Sequence, residues 1–175
     1  MEDYVDAKLA NITNMMNQTA DLSAALATQV NGFGGLMVQL NGPTISLFGG
    51  GSRYSLVHRE LGVPESVDVS ISTNVANSQY QHGTQAGAEM VRLANPNVIF
   101  VVDRGSLTDD VVSTVNIFTH PIFNPGVDAV VNQHVFFLDS ATWYMASGGI
   151  TALELQIQQI LDGLTQVYNF HNPVA

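Results

Sequence analysis

The sequence predicts an α/β lobe in which helices flank a largely parallel sheet. Three observations carry this. NVIFVVD (97–103) and HVFFLD (134–139) are near-continuous apolar runs of strand length, the pattern of strands buried on both faces. Stretches with apolar residues at helical spacing separate such runs, as layered α/β folds require. The chain also opens on a helix followed by a hairpin signal, which points to one lobe rather than a complete doubly wound domain.

Residues 2–30 read as one long helix, with Val5, Leu9, Ile12, Met16, Ala20 and Leu26 near helical spacing. Its remaining face is rich in Asn, Thr and Gln and nearly uncharged, and Gly32, Gly34 and Gly35 end it. LMVQL and TISLF follow on either side of Asn41-Gly42, a hairpin signal. The glycine loop FGGGSRYS (48–55) then leads into a helical pattern at about 53–61, closed by Gly62 and Pro64. VDVSI (67–71) is strand-like and 84–94 helical; beyond NVIFVVD, helices are expected at 107–116 and 125–131. GITALELQIQQILDGL (149–164) is an amphipathic helix with Leu153, Ile157, Ile160, Leu161 and Leu164 on one side.

The 175 residues fit one domain with a sizeable core, and 46% apolar content is that of a globular chain. No apolar run reaches the ~18 residues of a membrane span. The acidic start Met1-Glu2-Asp3-Tyr4 lacks a charged-then-apolar leader pattern, which fits a cytoplasmic protein or an exported one whose leader has been removed. With a formal charge of −10 and five basic residues, the chain has no basic patch for nucleic acid. The absence of cysteine excludes disulfides, thiolate metal sites and thiol nucleophiles. In so acidic a chain an arginine at a site-like position is informative.

In open parallel sheets, ligands sit beyond the carboxyl ends of the strands. TISLF ends in GGGSR, which sets Arg53 at a helix start, and NVIFVVD runs into Arg104. VDVSI runs into a polar loop with Tyr80 and His82, and HVFFLD into a loop with Trp143 and Tyr144. A cation at a helix N-terminus opposes the macrodipole, so Arg53 is not there for helix stability. Plainer roles are a solvated arginine or one paired with Asp103 or Asp139, a capping role for His82, and packing for Trp143 and Tyr144. The glycine loop before a helix also has the layout of an anion cradle. It lacks the lysine of a Walker loop and the glycine spacing of a dinucleotide fingerprint. No G-x-S-x-G elbow or paired-histidine motif occurs, so a non-enzyme is expected.

Taken together, GSRYSLVHRELG, HGTQAGAEMVRLANPNVIFVVDRG and VFFLDSATWYMASGG resemble the iron-siderophore-binding proteins of bacterial ABC importers, in particular those for catecholate siderophores. The elements are a G-S-R-F/Y segment, a His-Gly with Asn-Pro thirteen residues after the His (His82 to Asn95-Pro96), a V-I/V-D-R strand end and a W-Y-L-x-S-G-x-G loop, which reads WYMASGGI here. Similarity over roughly residues 36–164 implies a type III periplasmic binding protein, whose two lobes are joined by a long helix and hold the ligand between them. Residues 1–31 would be the end of that interdomain helix and 32–175 a single Rossmann-like C-terminal lobe.

By the same resemblance, Arg53 and Arg104 face the ferric-siderophore anion. His82 and Tyr144 complete the coordination of Fe(III) when the siderophore supplies only four donors, and Trp143 borders the ligand. Glu60 is the counterpart of the acidic residue that docks onto the membrane permease. The resemblance implies extracytoplasmic residence, no intrinsic cofactor, and Fe(III) bound as the siderophore complex. Arginine suits such an anion because its guanidinium stays charged and forks onto oxyanions; phenolate suits hard Fe(III). The first lobe of the family is missing from the sequence, so a homodimer through the exposed cleft face is a further expectation. Two other readings stay open: a flavodoxin-like phosphate- or nucleotide-binding domain, and a lobe without ligand that serves in assembly.

Overall fold

The computed structural model describes residues 2–42, 44–66, 84–86, 88–107, 126–146 and 148–173. In chain order the elements are α1 (Glu2–Gln29), β1 (Gly35–Asn41), β2 (Thr44–Phe48), β3 (Thr84–Ala86), α2 (Ala88–Ala94), β4 (Val98–Asp103), α3 (Asp128–Val131), β5 (Val135–Leu138) and α4 (Ile150–His171). The strands form one sheet in the order β3-β2-β1-β4-β5. β1, β4 and β5 pair in parallel, while β2 is antiparallel to both its neighbours. Four of the five strands therefore point the same way, and only β2 is reversed.

Side-chain alternation along the strands divides the core. Met37, Phe100, Val102 and Leu138 face α1 and α4, meeting Ile12, Leu26, Ile157, Ile160, Leu164 and Val167. Leu36, Val38, Leu40, Ile99 and Val101 face the opposite layer with Val91 of α2 and Ala129 of α3. Full burial of an aliphatic side chain of this size contributes roughly 1.5–3 kcal/mol. α1 and α4 lie side by side in the same direction. Near their starts Lys8 and Asn11 donate to Glu154, and near their ends Asn172 Nδ2 donates to Gln29 Oε1 at 2.8 Å. Gly163 lets α4 approach the sheet, since a Cβ there would lie 2.8 Å from Phe100 Cε1 and 3.0 Å from Phe136 Cδ2.

Several sequence expectations are corrected. In place of a helix at 53–61 there is a single π-type turn, Leu56–Glu60, closed by Leu61 N–H donating to Leu56 O at 2.9 Å. Residues 84–94 are not one helix: Thr84–Ala86 adds a strand beside β2, where Leu47 and Thr84 are partners, and the helix begins at Ala88. α4 continues past residue 164 to His171, because Val167 still meets the core. VDVSI and residues 108–116 of the expected helix lie outside the described residues. Among the described residues no helix is long and apolar enough to cross a membrane.

Candidate functional site

Three chain segments meet at the carboxyl end of β4. Asp103 passes directly into a short 3-10 turn, Arg104–Leu107, which leaves Arg104 exposed. β5 runs through Asp139 and Ser140 into a second π-type turn, Ala141–Met145, in which Ala146 N–H donates to Ala141 O at 3.0 Å. Such single π turns are rare and frequent at functional sites. Hydroxyls tie the two turns together: Ser106 Oγ and Ser140 Oγ each donate to Asp103 O at 2.7 Å.

The third segment arrives by a different route from the one the sequence implied. β2 is reversed, and its last residue, Phe48, lies opposite Met37, whereas Asp103 lies opposite Leu40. The carboxyl end of β2 is thus at the wrong end of the sheet for the site. Arg53 reaches the rim because Gly49–Tyr54 turns back over the sheet face, where Tyr54 Oη donates to Gln39 Oε1 of β1 at 2.9 Å.

The result is a cluster of two arginines on one tyrosine. The guanidinium carbon of Arg53 lies 4.6 Å from the Tyr144 ring centroid and that of Arg104 lies 4.9 Å from it. Arg53 Nη2 also donates to Tyr144 O at 3.3 Å. Cation–π contacts at exposed positions contribute about 0.5–1 kcal/mol each, but they do not neutralise the charge. Among the described residues neither guanidinium has a carboxylate partner; the ion pair formed there is Lys8–Glu154. Asp103 accepts from Gly105 N–H at 2.8 Å, and Asp139 accepts from Ala141 N–H and the Thr142 hydroxyl. The aspartate pairing weighed for Arg53 is therefore not what the structure shows. Two like charges share one ring on a chain of net charge −10, and an anion in front of them would be attracted to both.

Beneath the cluster lies an aromatic stack. Tyr54 packs edge-on against Phe48 and Trp143, with ring centroids 4.7 and 6.0 Å apart. Burial pushes the Tyr54 phenol up to about 12, an effect that Arg53 partly offsets. Trp143 is 2% exposed and its indole N–H donates to Gln159 Oε1 at 2.9 Å. The expectation that Trp143 borders the ligand is corrected: its ring points into the core, because the π turn that lifts Tyr144 to the rim turns the preceding side chain inward. Met145, the next residue, is 72% exposed.

Four amides of the glycine-loop segment are taken up within the fold. Gly50 N–H donates to Glu65 Oε1 at 2.7 Å, Ser52 N–H to Gly49 O, Tyr54 N–H to Ser52 Oγ and Ser55 N–H to Ser52 O. Those amides are occupied, and no α-helix follows to supply a macrodipole. The loop is held instead by Glu65; behind it, His58 Nδ1 lies 2.9 Å from Val63 O. Burial holds His58 below the usual histidine range.

Arg53, Arg104 and Tyr144 are thus brought together; Trp143 is adjacent but buried. Glu60 is exposed at the end of its π turn and takes no part in the arginine–tyrosine contacts. His82, like Tyr80, lies outside the described residues. Among the described residues no three potential metal-ligating side chains converge. Sequence reasoning missed Gln39, Gln156 and Gln159, which support the cluster from below. Their signal is faint: a polar residue within an otherwise apolar strand, one amide on the apolar side of an amphipathic helix and one on its polar flank.

No family model matches the chain. The petrobactin-binding protein YclQ of Bacillus subtilis is 36% identical over 164 residues, which are 93% of this chain and 47% of that protein. The crystal structure of YclQ superposes with a TM-score of 0.78 at 33% identity, covering 93% of this chain and 53% of the other. The chain is related to siderophore-binding proteins over about half their length. The ferric-anguibactin-binding protein FatB of Vibrio anguillarum is 28% identical over 158 residues, 89% of this chain and 45% of FatB. The catecholate-siderophore binding protein VctP of Vibrio cholerae shares the fold, with a TM-score of 0.71 at 24% identity over 91% of this chain and 53% of VctP. The α/β lobe with its long first helix is therefore the fold of one half of such a binding protein, and these relatives are binding proteins rather than enzymes.

Proposed function

We propose that the chain is the C-terminal lobe of the extracytoplasmic solute-binding component of an ABC importer, and that it binds a ferric siderophore of the catecholate type without catalysis. One observation carries the reading: Arg53 and Arg104, two of only five basic residues, converge on the ring of Tyr144 without carboxylate partners among the described residues. A ferric catecholate is a bulky polyanion with delocalised oxygen charge, for which guanidinium groups are suited. The guanidiniums lie against the Tyr144 ring and leave its phenol oxygen at the ring edge as the donor for Fe(III), a hard ion. His82 is assigned the second donor when the siderophore supplies four. The exposed Met145 beside this cluster supports a face built to be covered on closure. Residues 1–31 are assigned to the helix that joins the lobes, and Glu60, exposed on the surface, to docking on the permease.

The test is a titration of the chain with the ferric complex of a four-donor bis-catecholate, followed by its visible charge-transfer band and by emission of the single tryptophan. Binding is expected, weaker than for two closing lobes because half the contacts are absent. Arg53→Ala and Arg104→Ala should each weaken it, and Tyr144→Phe should shift the band. Unchanged spectra at millimolar complex refute ligand binding by this lobe. A band indifferent to Tyr144→Phe removes the tyrosine from the metal shell.

A further inference from the structure

Two glutamines of α4 turn toward the core, Gln156 on its apolar side and Gln159 on the flank. Gln156 is 6% exposed and Gln159 half-buried, and a buried side-chain amide is costly unless hydrogen bonds compensate it. Both are compensated by one short segment. Gln156 Nε2 donates to Thr142 O at 3.1 Å. Gln159 Oε1 accepts from the Trp143 indole N–H at 2.9 Å and from Asp139 N–H at 3.1 Å. Two donors converge on that single atom, so its identity as oxygen follows from the chemistry.

These bonds bracket the π turn that presents Tyr144. One end is held at Asp139, the middle at Thr142 and Trp143, and Tyr144 is the next residue outward. A single π-type turn has few hydrogen bonds of its own, so its geometry depends on such outside partners. Tyr144 in turn contacts both guanidiniums. We infer that Gln159 is a positioning residue of the binding face: through Asp139 and Trp143 it sets the turn that places Tyr144, and with it the arginine pair. The inference rests on the proposed function, since its consequence is read in ligand affinity.

The experiment compares Gln159→Met, which keeps length and helix propensity but removes the acceptor, with Gln159→Glu, which keeps an acceptor for both donors. Each is titrated with the ferric bis-catecholate in about 0.5 M salt, where the added carboxylate acts only at short range. Near-UV circular dichroism of the single tryptophan and amide exchange over 139–146 report the turn directly. Gln159→Met should speed exchange of the Trp143 and Ala146 amides, alter the tryptophan signal and weaken binding about tenfold. Gln159→Glu should restore all three. Wild-type affinity in Gln159→Met overturns the inference, as does equal weakening in both variants, because a purely structural defect would not be rescued by glutamate. If Gln159→Met does not fold, Trp143→Phe removes the indole bond from the other side and carries the same expectation for amide exchange and affinity. Failure of the unsubstituted chain to bind overturns the functional reading and this inference with it, an outcome distinct from intact binding that ignores Gln159.

Discussion

Replacing Tyr54 by phenylalanine separates the two contributions of its hydroxyl. The ring is 3% exposed and wedged between Phe48 and Trp143, and the only polar atom of the side chain donates to Gln39 Oε1 at 2.9 Å. Phenylalanine keeps the packing but leaves the Gln39 oxygen without that donor, so at pH 8 the variant should be less stable by about 1–2 kcal/mol. The phenol ionises ordinarily at 10.0 and here at about 12. The folded chain therefore holds this proton more tightly than the unfolded chain. The stability linked to it is fully present below pH 10 and is lost as the pH rises through 12. At pH 11 the loss amounts to about 1.4 kcal/mol, with about 3 kcal/mol as the limit at higher pH. Phenylalanine has no proton to lose, so the deficit of the variant should nearly vanish at pH 11. Lys8, whose ammonium is held above its usual range by its hydrogen bond to Glu154, also titrates at alkaline pH, but it is common to both proteins and cancels in the difference. Urea unfolding followed by far-ultraviolet circular dichroism at the two pH values gives the numbers. A deficit that is the same at pH 8 and pH 11 would refute the burial argument.

Other substitutions probe the scaffold and its response to acid. Gly163→Ala gains roughly 1 kcal/mol of helix propensity, but its Cβ would press on Phe100 and Phe136; overpacking costs about 1–3 kcal/mol, so a lower urea midpoint is expected, and a higher one would show that the rings can yield. Burial lowers the affinity of His58 for a proton in the folded state. Its stabilisation is accordingly present above the ordinary histidine range and declines as pH falls below it. His58→Gln should show a smaller loss of stability between pH 7 and pH 5 than the unsubstituted chain, and equal slopes would remove His58 from the acid response.

Much of the fold was legible because it rests on local periodicity. The run at 97–103 holds a central strand, Val98–Asp103, with every side chain buried, the run at 134–139 holds an edge strand with Phe137 49% exposed, and α1 and α4 follow from apolar residues every three or four positions. The Asn41-Gly42 turn correctly joined β1 to β2 as a hairpin, with Gly42 at φ +57°. That same hairpin reverses β2, a consequence the strand-end argument for Arg53 had not used. Thr84–Ala86 was misread because three residues carry too short a period to tell a strand edge from a helix start. The arginines and Tyr144 stood out by scarcity of charge and by family resemblance, whereas Gln159 did not, since one amide in an amphipathic helix reads as surface.

By itself, then, the sequence determined the layer architecture and the rarity of positive charge, properties of near-neighbour spacing and composition, while its motifs carried the likeness to siderophore-binding proteins. Tertiary structure alone decided that Arg53 and Arg104 share one ring, that Trp143 turns inward, and that the Gly50 amide is taken by Glu65. Those outcomes depend on where a turn points its side chains. That direction is set by partners far along the chain, Gln39 for Tyr54, Gln159 for Trp143 and Glu65 for Gly50, whose distance in sequence leaves no local pattern.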